Sequence, residues 1–381
     1  MADRLNKHIV LASGGTGGHV FPARALAAEL QGRGYKVTLM TDARGEVYEK
    51  LFPGVEIVQI RAGSPSVGGL IGKVKAAVNL LFGIVQSVLY LRKVKPVAVV
   101  GFGGYPSMPP ATAASLLGIP LVLHEQNAIL GRVNKLLAGR ATMIATSFIH
   151  IDTEDVSVAK KMRFTGNPVR QEIMALFGQE YKCAGDKDEF NLLVIGGSQG
   201  ATILSDVVPA AVQGLPEEIQ KRLKITQQCR KEDLAQVDAL YKTTEVDVTL
   251  ATFFENMPNL LGSCHLAIVR SGASTMAELA VAGCPAILVP YKYAMDNHQF
   301  KNAKTAVDRG AATLMVQDNF NAKSLGETLV LLITHPEKLK TMAKASAHCA
   351  EIGAAGKLAD LVITTAGRQH NKSSENGKVA A

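Results

Sequence analysis

His19 closes the run Gly14-Gly15-Thr16-Gly17-Gly18, directly after the apolar segment His8-Ile9-Val10-Leu11-Ala12. A strand, a glycine-rich loop and a helix in that order turn unpaired backbone N–H groups towards an anion, where the helix dipole favours it. An imidazole in the first turn of such a helix is disfavoured as imidazolium, so His19 is expected to stay neutral near pH 7 and to accept a proton. The same design returns where Leu192-Leu193-Val194-Ile195 runs into Gly196-Gly197-Ser198-Gln199-Gly200-Ala201. One such loop is most simply a tight turn. Its recurrence points to two nucleotide-fold domains facing each other across a phosphate-lined cleft.

Three further clusters follow apolar runs. His124-Glu125-Gln126-Asn127 puts four polar side chains after residues 121–123, and Arg270-Ser271-Gly272-Ala273-Ser274-Thr275-Met276-Ala277-Glu278 follows residues 266–269. Asp296-Asn297-His298-Gln299 comes after residues 287–289. The carboxyl ends of strands are where open α/β sheets bind ligands, and these groups suit sugar hydroxyls better than a redox cofactor. Glu278 lies about one turn inside its helix, placed to accept from hydroxyls. The first loop departs from the dinucleotide fingerprint, which needs glycine where Val20 stands; Asp42, after the second strand, is the feature that keeps a dehydrogenase reading open. Asp186-Lys187-Asp188 lies in a charged linker, and no other spacing suggests a metal.

The elements that must position these groups alternate. Residues 37–40, 56–60, 97–100, 121–123 and 143–145 read as short strands apolar on both faces, and residues 192–195, 224–227, 248–251, 266–269 and 286–289 repeat the pattern. That is the signature of parallel sheets covered by helices, hence an α/β fold. The length, 381 residues, fits two domains, with Gly166-Asn167-Pro168 punctuating the change. The expected divisions are residues 1–165 and 166–345, with a frayed tail from 367 to 381.

Residues 1–165 hold 19 Lys and Arg against 10 Asp and Glu, whereas residues 166–381 hold 22 against 23. The basic half suits an anionic surface or substrate. Nucleic acid is not expected as a partner, because aromatic residues make up 5% of the chain, with no Trp, and no dense Lys/Arg run is present. Five scattered cysteines without a Cys-x-x-Cys spacing indicate a reducing compartment, and a strand begins too early for a leader segment. A cytoplasmic protein is expected.

Residues 70–92 read as a helix with too wide an apolar arc. Val74, Val78, Leu81, Val85 and Leu89 fall on one side, the expected core face. Leu80, Ile84 and Leu91 form a second ridge beside Lys73, with Lys75, Arg92, Lys93 and Lys95 nearby. The stretch 76–91 is short of a membrane span. Burial on two sides is one reading; the other, favoured by the charge asymmetry, is an interfacial helix whose membrane patch is Lys73, Leu80, Ile84 and Leu91.

Gly14-Gly15-Thr16-Gly17-Gly18-His19, Gly103-Gly104-Tyr105, His124-Glu125-Gln126-Asn127, Gly166-Asn167-Pro168-Val169-Arg170, Gly196-Gly197-Ser198-Gln199-Gly200-Ala201 and Arg270-Ser271-Gly272-Ala273 together resemble the MurG family within glycosyltransferase family 28. The likeness is collinear over about residues 8–365. It implies a GT-B fold, two Rossmann-like domains with parallel sheets, the acceptor bound mainly by the first and the donor by the second. It also implies a last helix, residues 346–366, returning to the first domain. The implied reaction carries N-acetylglucosamine from UDP-N-acetylglucosamine to the C4 hydroxyl of the muramyl sugar of lipid I, giving lipid II at the cytoplasmic face of the bacterial inner membrane.

The resemblance places nucleotide-sugar contacts at Thr16, Gly17, Gly18, Asn127, Arg170, Ser198, Phe254, the segment Ala273, Ser274, Thr275, Met276, Ala277 and Glu278, and Gln299. Gln199 and Gly200 join through their loop, and Tyr105 through the loop that would cradle the acceptor's diphosphate. Phe254 and His298 depart from the family pattern, standing where an aliphatic residue and a glutamine occur; His298 is carried beside Gln299. A single displacement with inversion needs one base. His19 is the first candidate and Glu125 the reserve, with helix N-termini near Ser198, and Arg170, stabilising the departing diphosphate without metal or cofactor. The rivals are a UDP-N-acetylglucosamine 2-epimerase, an NAD-dependent oxidoreductase and a non-catalytic sugar-nucleotide binder.

Overall fold

The structure, a computed structural model, describes residues 7–43, 48–63, 69–197 and 200–379, with side chains for all of these but 69–71 and 369–379. The chain divides into two compact units, Met1–Arg170 with Gly353–Ala381, and Gln171–Ile352. The first division falls at Arg170 rather than 165 for a local reason. The N–H groups of Thr165 and Gly166 both donate to the Thr146 carbonyl, at 3.0 and 3.2 Å, and the Arg170 guanidinium lies 4.6 Å from the centre of the Phe21 ring. The segment 165–170 therefore belongs to the first unit. At the other end, the helix Pro336–His348 stays with the second unit, where Ser346 Oγ donates to the Leu279 carbonyl at 3.2 Å. The chain rejoins the first unit at Gly353.

Unit one holds a seven-stranded parallel sheet in the order β3-β2-β1-β4-β5-β6-β7, with β1 His8–Ala12, β2 Lys36–Thr41, β3 Glu56–Gln59, β4 Ala98–Gly101, β5 Leu121–Glu125, β6 Met143–Thr146 and β7 Met162–Phe164. Side chains alternate between its faces. Ile9 and Leu11 join one core with Leu26 and Leu30 of the helix Gly17–Gly32 and with Leu358 and Val362 of the final helix. Val10, between them, joins the opposite core with Met40, Val99, Leu123 and Ile144. The final helix runs Ala354–Val379, beyond the residue 367 where a frayed end is expected, and Asp360 pairs with Arg33 at the C-cap of the helix Gly17–Gly32.

Unit two repeats the plan with six parallel strands ordered β10-β9-β8-β11-β12-β13: β8 Phe190–Ile195, β9 Leu223–Gln228, β10 Asp247–Ala251, β11 Leu266–Val269, β12 Ala286–Leu288 and β13 Ala312–Leu314. The two sheets match bond for bond at the turning point of strand order. Phe102 N–H donates to the Ala12 carbonyl just beyond the β1/β4 pair, and Arg270 N–H to the Ile195 carbonyl just beyond β8/β11. β7 and β13 are absent from the sequence reading. Each is three residues long at a sheet edge, Met-Arg-Phe and Ala-Thr-Leu, too short and too mixed to show an apolar run.

The helix Gly69–Val94 covers unit one with the face opposite to the one its apolar ranking suggests. Leu91 is fully buried, as are Ala76, Gly83 and Ser87, and Leu80 and Ile84 are half-buried beside them. Val74, Val78, Leu81, Phe82, Val85 and Leu89 are exposed, between 44 and 64%. Small residues let this helix approach closely: a Cβ on Gly83 would fall 2.0 Å from the Arg61 carbonyl oxygen. Leu80, Ile84 and Leu91, expected as a lipid-facing ridge, thus pack against the unit, and the stripe expected to face the core is the exposed one. By length and composition alone Gly72–Val94 would suffice to span a bilayer, contrary to expectation, yet it is fastened to the sheet. Tyr90 Oη donates to Glu56 Oε1 at 3.0 Å and lies 3.2 Å from Thr38 Oγ1, which in turn is 2.8 Å from His8 Nε2.

Candidate active site

In unit one the reversal of strand order falls between β1 and β4, and the loops leaving those strands meet at His19. Its helix begins at Gly17, with Thr16 at the N-cap in extended conformation and no acidic residue in the first turn, so its N–H groups keep their partial positive charge. The ring lies against the turn at Gly103 and Gly104, whose φ angles of 79° and 71° suit glycine. A Cβ on Gly103 would approach His19 Cε1 to 3.4 Å, and one on Gly104 would approach Cδ2 to 3.3 Å. Gly14 is tighter still, its absent Cβ being 2.8 Å from Thr41 Oγ1 and 2.9 Å from Pro106 Cβ. Thr16 is exposed; Gly17, Gly18, Tyr105, Asn127 and Arg170 are half-buried. Gly17 faces the Phe21 ring on which Arg170 stacks, so the loop, the helix and the end of the first unit share one cluster.

Behind His19 the end of β5 is a buried polar network. His19 Nδ1 lies 3.2 Å from Gln126 Oε1, and Gln126 Nε2 donates to the Phe102 carbonyl at 2.9 Å. Gln126 Nε2 is also 3.0 Å from Nδ1 of His124, a fully buried ring whose pKa burial lowers to about 4. Glu125 takes no part in this chain. Its Oε1 accepts from the backbone and side-chain N–H groups of Asn127 at 3.0 and 3.2 Å, and its Oε2 from Gly131 N and Asn134 Nδ2, both at 2.8 Å. Only 1% exposed and bonded to four donors, Glu125 holds residues 127–134 in place. That saturation argues against the reserve-base role expected of it, which sequence spacing could not reveal because Gly131 and Asn134 are brought in by folding.

Unit two presents different chemistry at the matching edge. Gly196 closes on its own loop, an added Cβ falling 2.5 Å from Ala201 N, while Gly197, at φ 90°, faces open space. Gly196 N–H donates to Gln228 Oε1 at 3.2 Å, and Gly200 N–H to the Gly197 carbonyl at 2.9 Å. Ser198 and Gln199 lie outside the described residues. Arg270, 8% exposed, donates from Nη1 to the Val289 carbonyl at 2.9 Å and to Gln317 Oε1 at 3.1 Å, and sits 5.4 Å from the Tyr291 ring centre.

Gly272 caps the helix Ala273–Ala282, where Ala273 is buried and Ser274, Thr275, Met276, Ala277 and Glu278 are half-buried. Gln299 Oε1 accepts from Tyr291 N–H at 2.9 Å, and its carbonyl accepts from Ser271 Oγ at 2.8 Å, so Gln299 and the Arg270 segment form one assembly. His298 is half-buried, its Nδ1 2.8 Å from the Met295 carbonyl. Phe254 is half-buried after β10, next to Phe253, which is 66% exposed. Gln126, Gln228 and Gln317 organise these edges, yet the sequence offers no spacing that separates them from ordinary polar loop residues.

The glycosyltransferase family 28 N-terminal domain model matches residues 9–146, and the C-terminal domain model of that family matches residues 191–357. A protein of Paramagnetospirillum magneticum named UDP-N-acetylglucosamine–N-acetylmuramyl-(pentapeptide) pyrophosphoryl-undecaprenol N-acetylglucosamine transferase is 48% identical over 93% of this chain and 96% of its own. One of the same name from Rhodospirillum centenum is 45% identical over 98% of each chain. The crystal structure of Acinetobacter baumannii MurG superposes with a TM-score of 0.75 at 31% identity, covering 94% of this chain and 99% of that one. With two Rossmann-like parallel-sheet units of the GT-B class and a likeness that runs nearly end to end, the chain belongs to glycosyltransferase family 28 and, within it, to the MurG family.

Proposed function

We propose that the protein transfers N-acetylglucosamine from UDP-N-acetylglucosamine to the C4 hydroxyl of the muramyl sugar of lipid I, giving lipid II with inversion at the anomeric carbon. The observation that carries this reading is the near end-to-end likeness to two relatives bearing that transferase name. His19 is the base. Gly14 to Gly18 and the turn through Tyr105 hold the acceptor's diphosphate, while Arg270 and the segment after it, with Gln299, Phe254 and the Gly196 to Gly200 loop, hold the donor. The loop's N–H groups offset the charge on the departing diphosphate. Incubation with labelled UDP-N-acetylglucosamine and a short-chain lipid I analogue should label the lipid. Unlabelled lipid with conversion of the donor to its manno isomer would make the protein an epimerase instead.

The protein works at the cytoplasmic face of the bacterial inner membrane, held peripherally by the stripe Val74, Val78, Leu81, Phe82, Val85 and Leu89. Exposed apolar side chains over a continuous helix face, with Lys73, Lys75, Arg92 and Lys93 at its ends, suit an anionic lipid surface. Replacing Leu81 and Val85 by Glu should release the protein from anionic vesicles while activity on a soluble acceptor persists; undiminished vesicle binding would remove this role.

A further inference from the structure

The hydrogen bonds behind His19 run in one direction, and each is forced by the chemistry of its partner. A backbone carbonyl only accepts, so the Phe102 oxygen, 2.9 Å away, must face the amide nitrogen of Gln126 and not its oxygen. That nitrogen's other proton points to His124 Nδ1 at 3.0 Å, which places the His124 proton on Nε2, near the Gly166 carbonyl and Ser147 Oγ, each at 3.4 Å. The orientation of Gln126 is thereby settled from behind. Its Oε1 is left facing His19 Nδ1 at 3.2 Å, and an amide oxygen only accepts. His19 Nδ1 must carry a hydrogen.

We propose that Gln126 is a positioning residue that fixes His19 as the Nδ1–H tautomer, making Nε2 the atom that takes the acceptor's proton. The inference rests on the reading of His19 as base. A neutral imidazole bears one ring proton, so a proton on Nδ1 leaves the lone pair on Nε2. In the transfer step the acceptor hydroxyl gives its proton to His19 Nε2 and its oxygen bonds to C1 of the sugar. The bond from C1 to the diphosphate oxygen breaks, UDP keeping the electron pair, and the imidazolium later returns its proton to water. Gln126 does what a carboxylate does in the serine-protease triad, but without charge. Two buried, mutually bonded side chains, Gln126 at 2% exposure and His124 at 0%, keep the amide from rotating.

The test reads the tautomer directly. In protein labelled with 15N at histidine, the His19 signals, assigned by their loss in His19→Ala, should show a protonated Nδ1 and an unprotonated Nε2 at neutral pH; a proton on Nε2 overturns the proposal. In Gln126→Met the proton should redistribute towards Nε2, and kcat should fall about 10- to 100-fold with donor KM unchanged. The same change made in His19→Ala should cost less than about twofold, since the residue it positions is gone. Equal losses in both backgrounds would show a merely structural Gln126. A His19→Ala protein that turns over normally defeats the base reading instead, while the wild-type tautomer still decides the role of Gln126.

Discussion

The edges beyond β1 and β8 are built on the same backbone plan and carry different side chains. Each sheet reverses its strand order beside its first strand, and each opens there into a glycine-rich loop leading to a helix. In unit one the polar groups behind the loop are two imidazoles bridged by an amide, His19, Gln126 and His124, a set that can hold and direct a proton. In unit two the matching place carries a buried guanidinium, Arg270, tied to Val289 and Gln317, and a glutamine holding the loop at Tyr291. Topology supplies the glycine-rich turns. On the proposed function, the side chains at the strand ends decide whether such a turn serves proton transfer or the holding of a charged nucleotide.

Substitutions should therefore divide by unit. His19→Ala should lower kcat by about 100- to 10,000-fold, with donor KM within a factor of about two; a large rise in donor KM with kcat preserved would break the contrast. The buried His124 gives a second mark of unit one. Its pKa falls from the usual 6.5 to about 4 on folding, so below pH 6.5 the unfolded chain takes up a proton that the folded ring refuses. That contribution is complete above pH 6.5 and is lost as pH falls to 4, by about 3 kcal/mol in total. Urea midpoints followed across that window should drop more steeply for the wild type than for His124→Asn; parallel slopes would show that the ring titrates normally.

Smaller effects sharpen the comparison. Gly196→Ala drives a Cβ into Ala201 N and should weaken donor binding by about 1–3 kcal/mol, whereas Gly14→Ala, pressed on Thr41 and Pro106, should act on the acceptor's KM by a similar amount. Titration of each variant with UDP-N-acetylglucosamine checks the assignment, and a donor defect in Gly14→Ala would undo it. Glu125→Gln should cost about 1–3 kcal/mol of stability by unbalancing its four donors, with kcat lowered far less than by His19→Ala. A loss of turnover as large as that of His19→Ala, at unchanged melting temperature, would return Glu125 to the role of base.

The parallel strands were legible because burial on both faces makes them short apolar runs, and both loops because glycines in pairs are hard to mistake. What folding adds is less visible. The helix Gly69–Val94 has two apolar arcs, and ranking them by hydrophobicity selects the wrong one, since close docking favours the small side chains of Ala76, Gly83 and Ser87 over larger ones. Glu125 reads as a reactive carboxylate until Gly131 and Asn134, from the N-cap and body of the helix Arg132–Leu137, saturate it. Gly166-Asn167-Pro168 looks like a linker in sequence, whereas the backbone of Thr165 and Gly166 is bonded to the end of β6.

The stop at Gly83 sets how far the helix Gly69–Val94 can part from the sheet. With its backbone pressed to the Arg61 carbonyl and Tyr90 fastened to Glu56 and Thr38, this helix has one side to offer and cannot swing out to cross the bilayer without tearing the sheet it covers. If lipid is what meets the stripe, the hold is shallow and reversible: a roaming visitor to one leaflet, able to leave a patch whose acceptor is spent and alight on another.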